Sequence, residues 1–182
     1  MLALCFHLFY CFMSGLAKLA WVISLLLFLG VLLYTYVYLP ERIDFGSTAE
    51  SLPLVTLLKA EYFYGIVGAV AVANVLIILL GNLFKYLPTP FLPVPQRLFW
   101  MRDSLTRKHL YEHLEGWTRG LGFCINLFFT LLTVEVYNQY EPFAKIPTAF
   151  WYFACVVILL AWLGFYWFWF SAMAKEEHLV HK

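Results

Sequence analysis

Charge is scarce in this chain. Of its 182 residues, only 13% are Asp, Glu, Lys or Arg, against roughly 25% in soluble globular domains. Hydrophobic residues make up 63% of the sequence and aromatic residues 20%. A soluble protein of this size cannot bury so much apolar surface, because its exterior must be solvated. The composition therefore predicts an integral membrane protein, with residues 1–182 forming a single membrane domain.

Signals for chemistry are also missing. The net charge of +1 gives no field that would attract nucleic acid. The four cysteines form no C-x-x-C pair, and phosphate-binding glycine loops and nucleophile elbows are absent. No histidine lies in the long apolar runs, which excludes axial haem ligands there. We therefore expect no enzyme, no cofactor and no nucleic-acid partner.

What the chain does contain is four apolar runs, each about as long as the roughly 20 residues that a helix needs to cross a bilayer. Their backbone must satisfy its own hydrogen bonds in lipid, which predicts helices and an all-α membrane protein. The predicted spans are residues 19–39, 62–81, 120–137 and 149–170.

Basic residues predict the orientation. Nine of the twelve Lys and Arg lie before the first span, between the second and third, or after the fourth. Because Lys and Arg are in excess on the cytoplasmic side of membrane proteins, we expect both termini and the loop 82–117 to be cytoplasmic. The expected location is a bacterial cytoplasmic (inner) membrane.

The first twelve residues are apolar but lack the basic start and cleavage site of a signal peptide. Two interpretations stay open. The segment forms a short interfacial helix, or translation starts at Met13 and MSGLAK is the cytoplasmic leader.

The loop 82–117 begins with four prolines, at positions 88, 90, 93 and 95, which predict an extended chain. The sequence WMRDSLTRKHLYEHLEGW follows, and it predicts a helix that starts near Asp103 or Ser104. Its apolar and basic residues favour an interfacial helix between the second and third spans, lying in the headgroup plane. The expected lipid or partner contacts are Arg97, Phe99, Trp100, Glu112 and Glu115.

Three polar residues inside the spans are candidate functional residues. Glu135 is the strongest, because ionisable groups in a membrane usually have a function, although a carboxylate near the end of a span can also reach water. Asn74 and Asn126 lie deeper, where side-chain amides often join helices. Gly65, Ala69 and Ala73 recur at every fourth position and form a small-residue face suited to helix packing.

His109 and His113 are weak candidates for a metal site. They are four residues apart, so on a helix they share one face. Zinc normally takes three or four protein ligands, and a solvated interfacial face explains this spacing equally well.

The segment LPVPQRLFW, residues 92–100, is the most distinctive short motif. Together with the basic helix after it, it resembles a bacterial membrane domain of unknown function that also forms the N-terminal part of the Sdp toxin-immunity proteins. The matching residues are Pro93, Pro95, Arg97, Phe99 and Trp100.

A second element of that family follows the first span. Here its counterparts are Pro40, Arg42, Ile43, Phe45 and Gly46, while the family's second proline and its histidine are missing. The resemblance implies a multi-pass topology and no particular activity.

Two functions follow as expectations. The first is a non-enzymatic accessory subunit, regulator or immunity-like partner of a membrane complex, in contact with lipids and with another membrane protein or a second copy of itself. The alternative is a small transporter or ion-pathway component centred on Glu135. A cavity shared by Glu135, Asn74 and Asn126 would favour transport, whereas a sealed bundle with an exposed small-residue face would favour a partner.

Overall fold

A computed structural model describes residues 2–45, 55–140 and 148–180, with side chains described at 15–45, 55–88, 90–140 and 150–172. In chain order its elements are α1 (Leu2–Tyr38), β1 (Arg42–Phe45), β2 (Val55–Leu58), α2 (Lys59–Leu83), α3 (Arg97–Trp100), α4 (Ser104–Asn138) and α5 (Thr148–Val180). Helices long and apolar enough to cross a membrane cover Gly15–Tyr38, Lys59–Leu83, Ser104–Asn138 and Phe150–Ala172. The four predicted spans and the all-α membrane fold are confirmed.

Helix α4 is the centre of the bundle, and α1, α2 and α5 each pack against it. Helix α1 runs parallel to α4, while α2 and α5 run antiparallel to it. Half of the buried residues of α4 are small or hydroxylated, namely Thr118, Gly120, Gly122, Thr130 and Thr133. Small residues let helix backbones approach closely, which supplies the van der Waals contact that holds helices together in lipid.

Two glycines of α4 make room for tryptophans of its neighbours. A Cβ atom on Gly120 would overlap the ring of Trp162 in α5. A Cβ atom on Gly122 would lie 2.8 Å from Cδ1 of Trp21 in α1. A side chain at either position would therefore push a neighbouring helix away from α4.

One end of the bundle, which we call the hairpin end, carries the antiparallel pair β1–β2, in register from Arg42 opposite Leu58 to Phe45 opposite Val55. Ile43 is fully buried in a cluster with Leu39, Val136 and Tyr137, so the hairpin is anchored on the ends of α1 and α4. This hairpin was not predicted, because the four-residue strands have no alternating pattern long enough to be recognised.

At the opposite end, which we call the loop end, the chain from residue 84 to residue 103 folds over the helices. A 3-10 turn at Thr89–Phe91 is followed by a tight turn in which the Val94 N–H donates to the Leu92 carbonyl oxygen at 2.9 Å. The proline segment therefore turns repeatedly and is not the extended chain that was predicted. Leu92, Val94 and Trp100 are buried with residues of α2, α4 and α5. The Tyr166 hydroxyl donates to the carbonyl oxygen of Pro93 at 2.9 Å, tying this segment to α5.

The helix predicted from the loop is continuous with the third span, forming the 35 residues of α4. It begins as predicted, because the Asp103 carboxylate accepts from the backbone N–H of Leu105 at 3.1 Å and of Thr106 at 2.9 Å. We expected a separate helix lying in the headgroup plane, whereas the structure has one helix that continues into the third span. Proline is absent between Ser104 and Asn138, so no residue of this segment lacks the backbone N–H that a continuous helix needs.

Candidate functional site: a polar cluster between three spans

Four polar side chains meet in the middle of the bundle, and we call them the polar cluster: Trp21, Ser24, Asn74 and Asn126. Asn74 Nδ2 donates to Asn126 Oδ1 at 2.8 Å, which joins α2 to α4. Trp21 Nε1 donates to Asn74 Oδ1 at 2.7 Å, and Asn126 Nδ2 donates to Ser24 Oγ at 3.2 Å, which joins α1 to both helices. The cluster therefore ties three spans together.

The polar cluster is buried and closed on itself. Exposure is 0% for Asn126, 1% for Ser24 and 7% for Asn74. The second amide hydrogen of Asn74 goes to the Val70 carbonyl oxygen at 2.8 Å, and that of Asn126 goes to Asn74 Oδ1 at 3.3 Å. Because buried polar groups in lipid need such partners, this arrangement clamps the helices together and offers little capacity to bind a passing ion.

Sequence reasoning identified the two asparagines and missed Trp21 and Ser24. Ser24 does have a signal, since it is a hydroxyl residue within the apolar run of the first span. Its own hydroxyl donates to the Trp21 carbonyl oxygen at 2.7 Å, as serines inside helices commonly do. For Trp21 the sequence has no such signal, because an indole at that position also suits contact with lipid.

Glu135 lies apart from the polar cluster. It is half-buried and lies beside the Tyr152 side chain of α5. Nine residues separate it from Asn126 on α4, which is about 14 Å along a helix. The structure therefore does not bring the three predicted polar residues to one site, and it places Glu135 at the contact between α4 and α5.

The two candidate metal ligands lie near the loop end of α4. His109 Nδ1 is 3.8 Å from Glu112 Oε2, while the His113 ring packs 6.2 Å from the Trp100 ring and 5.6 Å from the Phe170 ring, between centroids. Within the described part of the chain, no three His, Cys, Asp or Glu side chains converge on one point. The two histidines thus have different surroundings.

Three of the predicted contact residues, Arg97, Phe99 and Trp100, lie in the loop before α4. Arg97 donates to the Pro90 carbonyl oxygen and Phe99 is half-buried against the loop-end core. Trp100 is 2% exposed, so the expectation that its ring contacts lipid or a partner is wrong. The reason is that the folded proline segment and Phe170 enclose the ring, which sequence hydropathy cannot show.

The two predicted acidic contacts differ in their charge environment. Glu115 forms an ion pair with Arg119, one turn along α4, and both side chains are partly buried. Glu112 is half-buried at the loop end, with His109 beside it. Glu115 is therefore paired with a basic residue of its own helix, whereas the carboxylate of Glu112 is more accessible to a partner or a lipid.

Comparison of the chain with known protein families, with curated proteins and with solved structures finds no match. The residues of the sequence motif nonetheless have defined places. Pro93, Arg97 and Trp100 hold the loop-end fold through the contacts described above, and Ile43 anchors the hairpin end, while Gly46 lies outside the described residues. These motif residues therefore act in the packing of the two ends of the bundle.

Proposed function

We propose that this protein is a non-enzymatic accessory subunit, regulator or immunity-like partner of a membrane complex in a bacterial cytoplasmic membrane. The observation that carries the proposal is the closed polar cluster. Its asparagines, Ser24 and Trp21 bond to one another and to the backbone, so the interior of the bundle serves helix packing. A transport pathway instead needs polar groups free to exchange partners with a moving ion.

The small-residue face of α2 supports the same proposal. Gly65, Gly68 and Ala69 are exposed, and Ala73 is half-buried. A Cβ atom added to Gly65 or Gly68 would meet nothing within 4 Å. Because this face is unused inside the described chain, it is available for close packing against a helix of another membrane protein or of a second copy.

The test is purification of the tagged full chain from native membranes in mild detergent, followed by identification of the proteins that come with it. Gly65→Leu should preserve the fold, since its Cβ meets open space, and should remove the partner by blocking close approach. Gly164→Leu is the matched control, because Gly164 of α5 also has open space around it. A second, differently tagged copy in the same cells distinguishes self-association from a different partner.

Recovery of the same partner at the same yield with Gly65→Leu would contradict a role for this face of α2. If the intact chain brings down neither a membrane protein nor its own second copy under these conditions, the proposed function itself is wrong.

The alternative function, an ion-pathway component centred on Glu135, rests on that half-buried carboxylate and the Tyr152 side chain beside it. Proton and cation flux into liposomes containing the purified protein tests it. We expect flux equal to that of empty liposomes. A flux that appears with the native chain and disappears with Glu135→Gln would establish the alternative.

The proposed orientation places the loop end and both termini in the cytoplasm, supported by the excess of Lys and Arg on that side. In a variant lacking the four native cysteines, Ser104→Cys at the loop end should react with an impermeant thiol reagent only after the cells are opened. Val55→Cys at the hairpin end, where Val55 is 51% exposed, should react in intact cells. The reverse labelling pattern would invert the topology.

A further inference from the structure

An aromatic cleft lies between α4 and α5 near the loop end and encloses about 70 Å³. We call it the aromatic cleft, and the lining residues that matter are Glu112, Trp117, Trp162, Phe165, Tyr166 and Trp169. A volume of this size holds a group of about five heavy atoms. The cleft is separate from the polar cluster and from the exposed face of α2.

The rings around the cleft form a continuous aromatic wall. Trp117 and Tyr166 have ring centroids 4.6 Å apart, joining α4 to α5. Along α5, Phe165 lies 6.1 Å from Trp162 and 5.6 Å from Trp169. The faces of such rings carry partial negative charge and attract cations, most strongly where water is excluded.

The formal charge at the cleft is negative, like the partial charge on the faces of the rings. Glu112 contributes a half-buried carboxylate, and among the described residues that line the cleft there is no lysine or arginine. The combination of aromatic faces with one carboxylate is the arrangement that recognises organic ammonium groups.

The tryptophans of the cleft indicate its depth in the membrane. Three of them, Trp117, Trp162 and Trp169, line it. Tryptophans concentrate at the depth of lipid headgroups, where ammonium and phosphate occur in the same molecule.

We propose that the aromatic cleft binds an organic ammonium group, and that the source of this group is the headgroup of a zwitterionic phospholipid. The ammonium lies against the rings of α5 and near Glu112. The site would hold one lipid at the contact between α4 and α5.

The test measures lipid binding to the purified full chain in detergent by native mass spectrometry. The probes are phosphatidylethanolamine, phosphatidylcholine and phosphatidylglycerol with identical acyl chains, and free phosphoethanolamine. We expect the two ammonium lipids to bind about ten-fold more tightly than phosphatidylglycerol. Equal binding of phosphatidylglycerol would overturn the proposal, and competition by phosphoethanolamine at lipid-like concentrations would overturn the assignment to a lipid.

Two variants locate the binding site. Trp169→Leu removes a ring of the cleft and Glu112→Gln removes its carboxylate at constant shape, and each should weaken binding of phosphatidylethanolamine about ten-fold. The controls are Trp167→Leu, at a position 59% exposed on the same helix, and Glu41→Gln, at the hairpin end with a side chain 86% exposed. Thermal unfolding of all four variants shows whether they are folded. Unchanged binding in both folded cleft variants, or an equal loss in the controls, would overturn the proposal.

Discussion

The side-chain amide of Asn74 donates to the side-chain oxygen of Asn126 at 2.8 Å, and this bond joins α2 to α4 in the middle of the bundle. Both residues come from helices whose remaining surfaces are mostly apolar. In lipid, apolar surfaces have no preference for one another over the acyl chains, so orientation and register depend on contacts such as this bond and on close packing at small residues. The bond therefore helps to specify which faces of the spans meet.

Replacing Asn126 with leucine should lower the free energy of unfolding by about 1–2 kcal/mol, because Asn74 and Ser24 lose their partner. The double variant with Asn74→Leu should cost less than the sum of the two single changes, since both amides are then gone together. Unfolding in detergent mixtures measures all three values. Asn82→Leu, at an exposed position of α2, is the control. Additive losses would show that the two amides are not coupled.

Gly120→Ala should destabilise the contact of α4 with α5 by about 1–3 kcal/mol, because the new Cβ atom would overlap the Trp162 ring. Gly164→Ala has open space and should instead be neutral or stabilising, owing to the higher helix propensity of alanine. The measurement is detergent unfolding combined with proteolysis of α5. Adding Trp162→Phe, which removes the overlapping ring atoms, should restore part of the lost stability. Equal effects of the two glycine substitutions would argue against the close contact.

Trp100→Ala should lower the free energy of unfolding of the loop end by about 3–5 kcal/mol, as expected for an aromatic residue removed from a core. The physical reason is its burial between the proline segment, α4 and Phe170. Leu98→Ala, at a position 88% exposed, should change stability by no more than about 0.5 kcal/mol. Limited proteolysis between residues 84 and 103 reports the effect. Similar protease resistance in both variants would indicate that Trp100 is a surface residue and not part of the core.

The start of α4 should depend on pH through Asp103. The backbone N–H of Thr106 lowers the pKa of the Asp103 carboxyl below its ordinary value of 3.8. Since the pKa is lower in the folded chain, the cap is fully effective above that ordinary value and is lost as the pH falls through the folded pKa. Hydrogen exchange at the amides of Leu105 and Thr106 should therefore become less protected at low pH. Asp103→Asn should keep the cap and abolish this dependence, and an unchanged pH profile in that variant would contradict the assignment.

Local patterns in the sequence were enough to predict the four spans and the start of α4. Each depends on a run of neighbouring residues: about 20 apolar residues match the thickness of a bilayer, and an aspartate before the first turn satisfies free N–H groups. Asn74 and Asn126 were also recognised, because a polar residue is conspicuous in an apolar run. Glu135 was recognised for the same reason, but its partner Tyr152 was not.

Only the tertiary structure decided which of these residues meet. Helices facing lipid show little polar or apolar asymmetry, so hydropathy does not distinguish the face of α1 that carries Ser24 from the one that faces lipid. The burial of Trp100 depends on Phe170, 70 positions away in α5, and the space beside Gly120 and Gly122 is filled by tryptophans of other helices. Hydropathy depends on neighbours in the chain, whereas packing depends on neighbours in space, so the spans were readable from the sequence and the contacts between them were not.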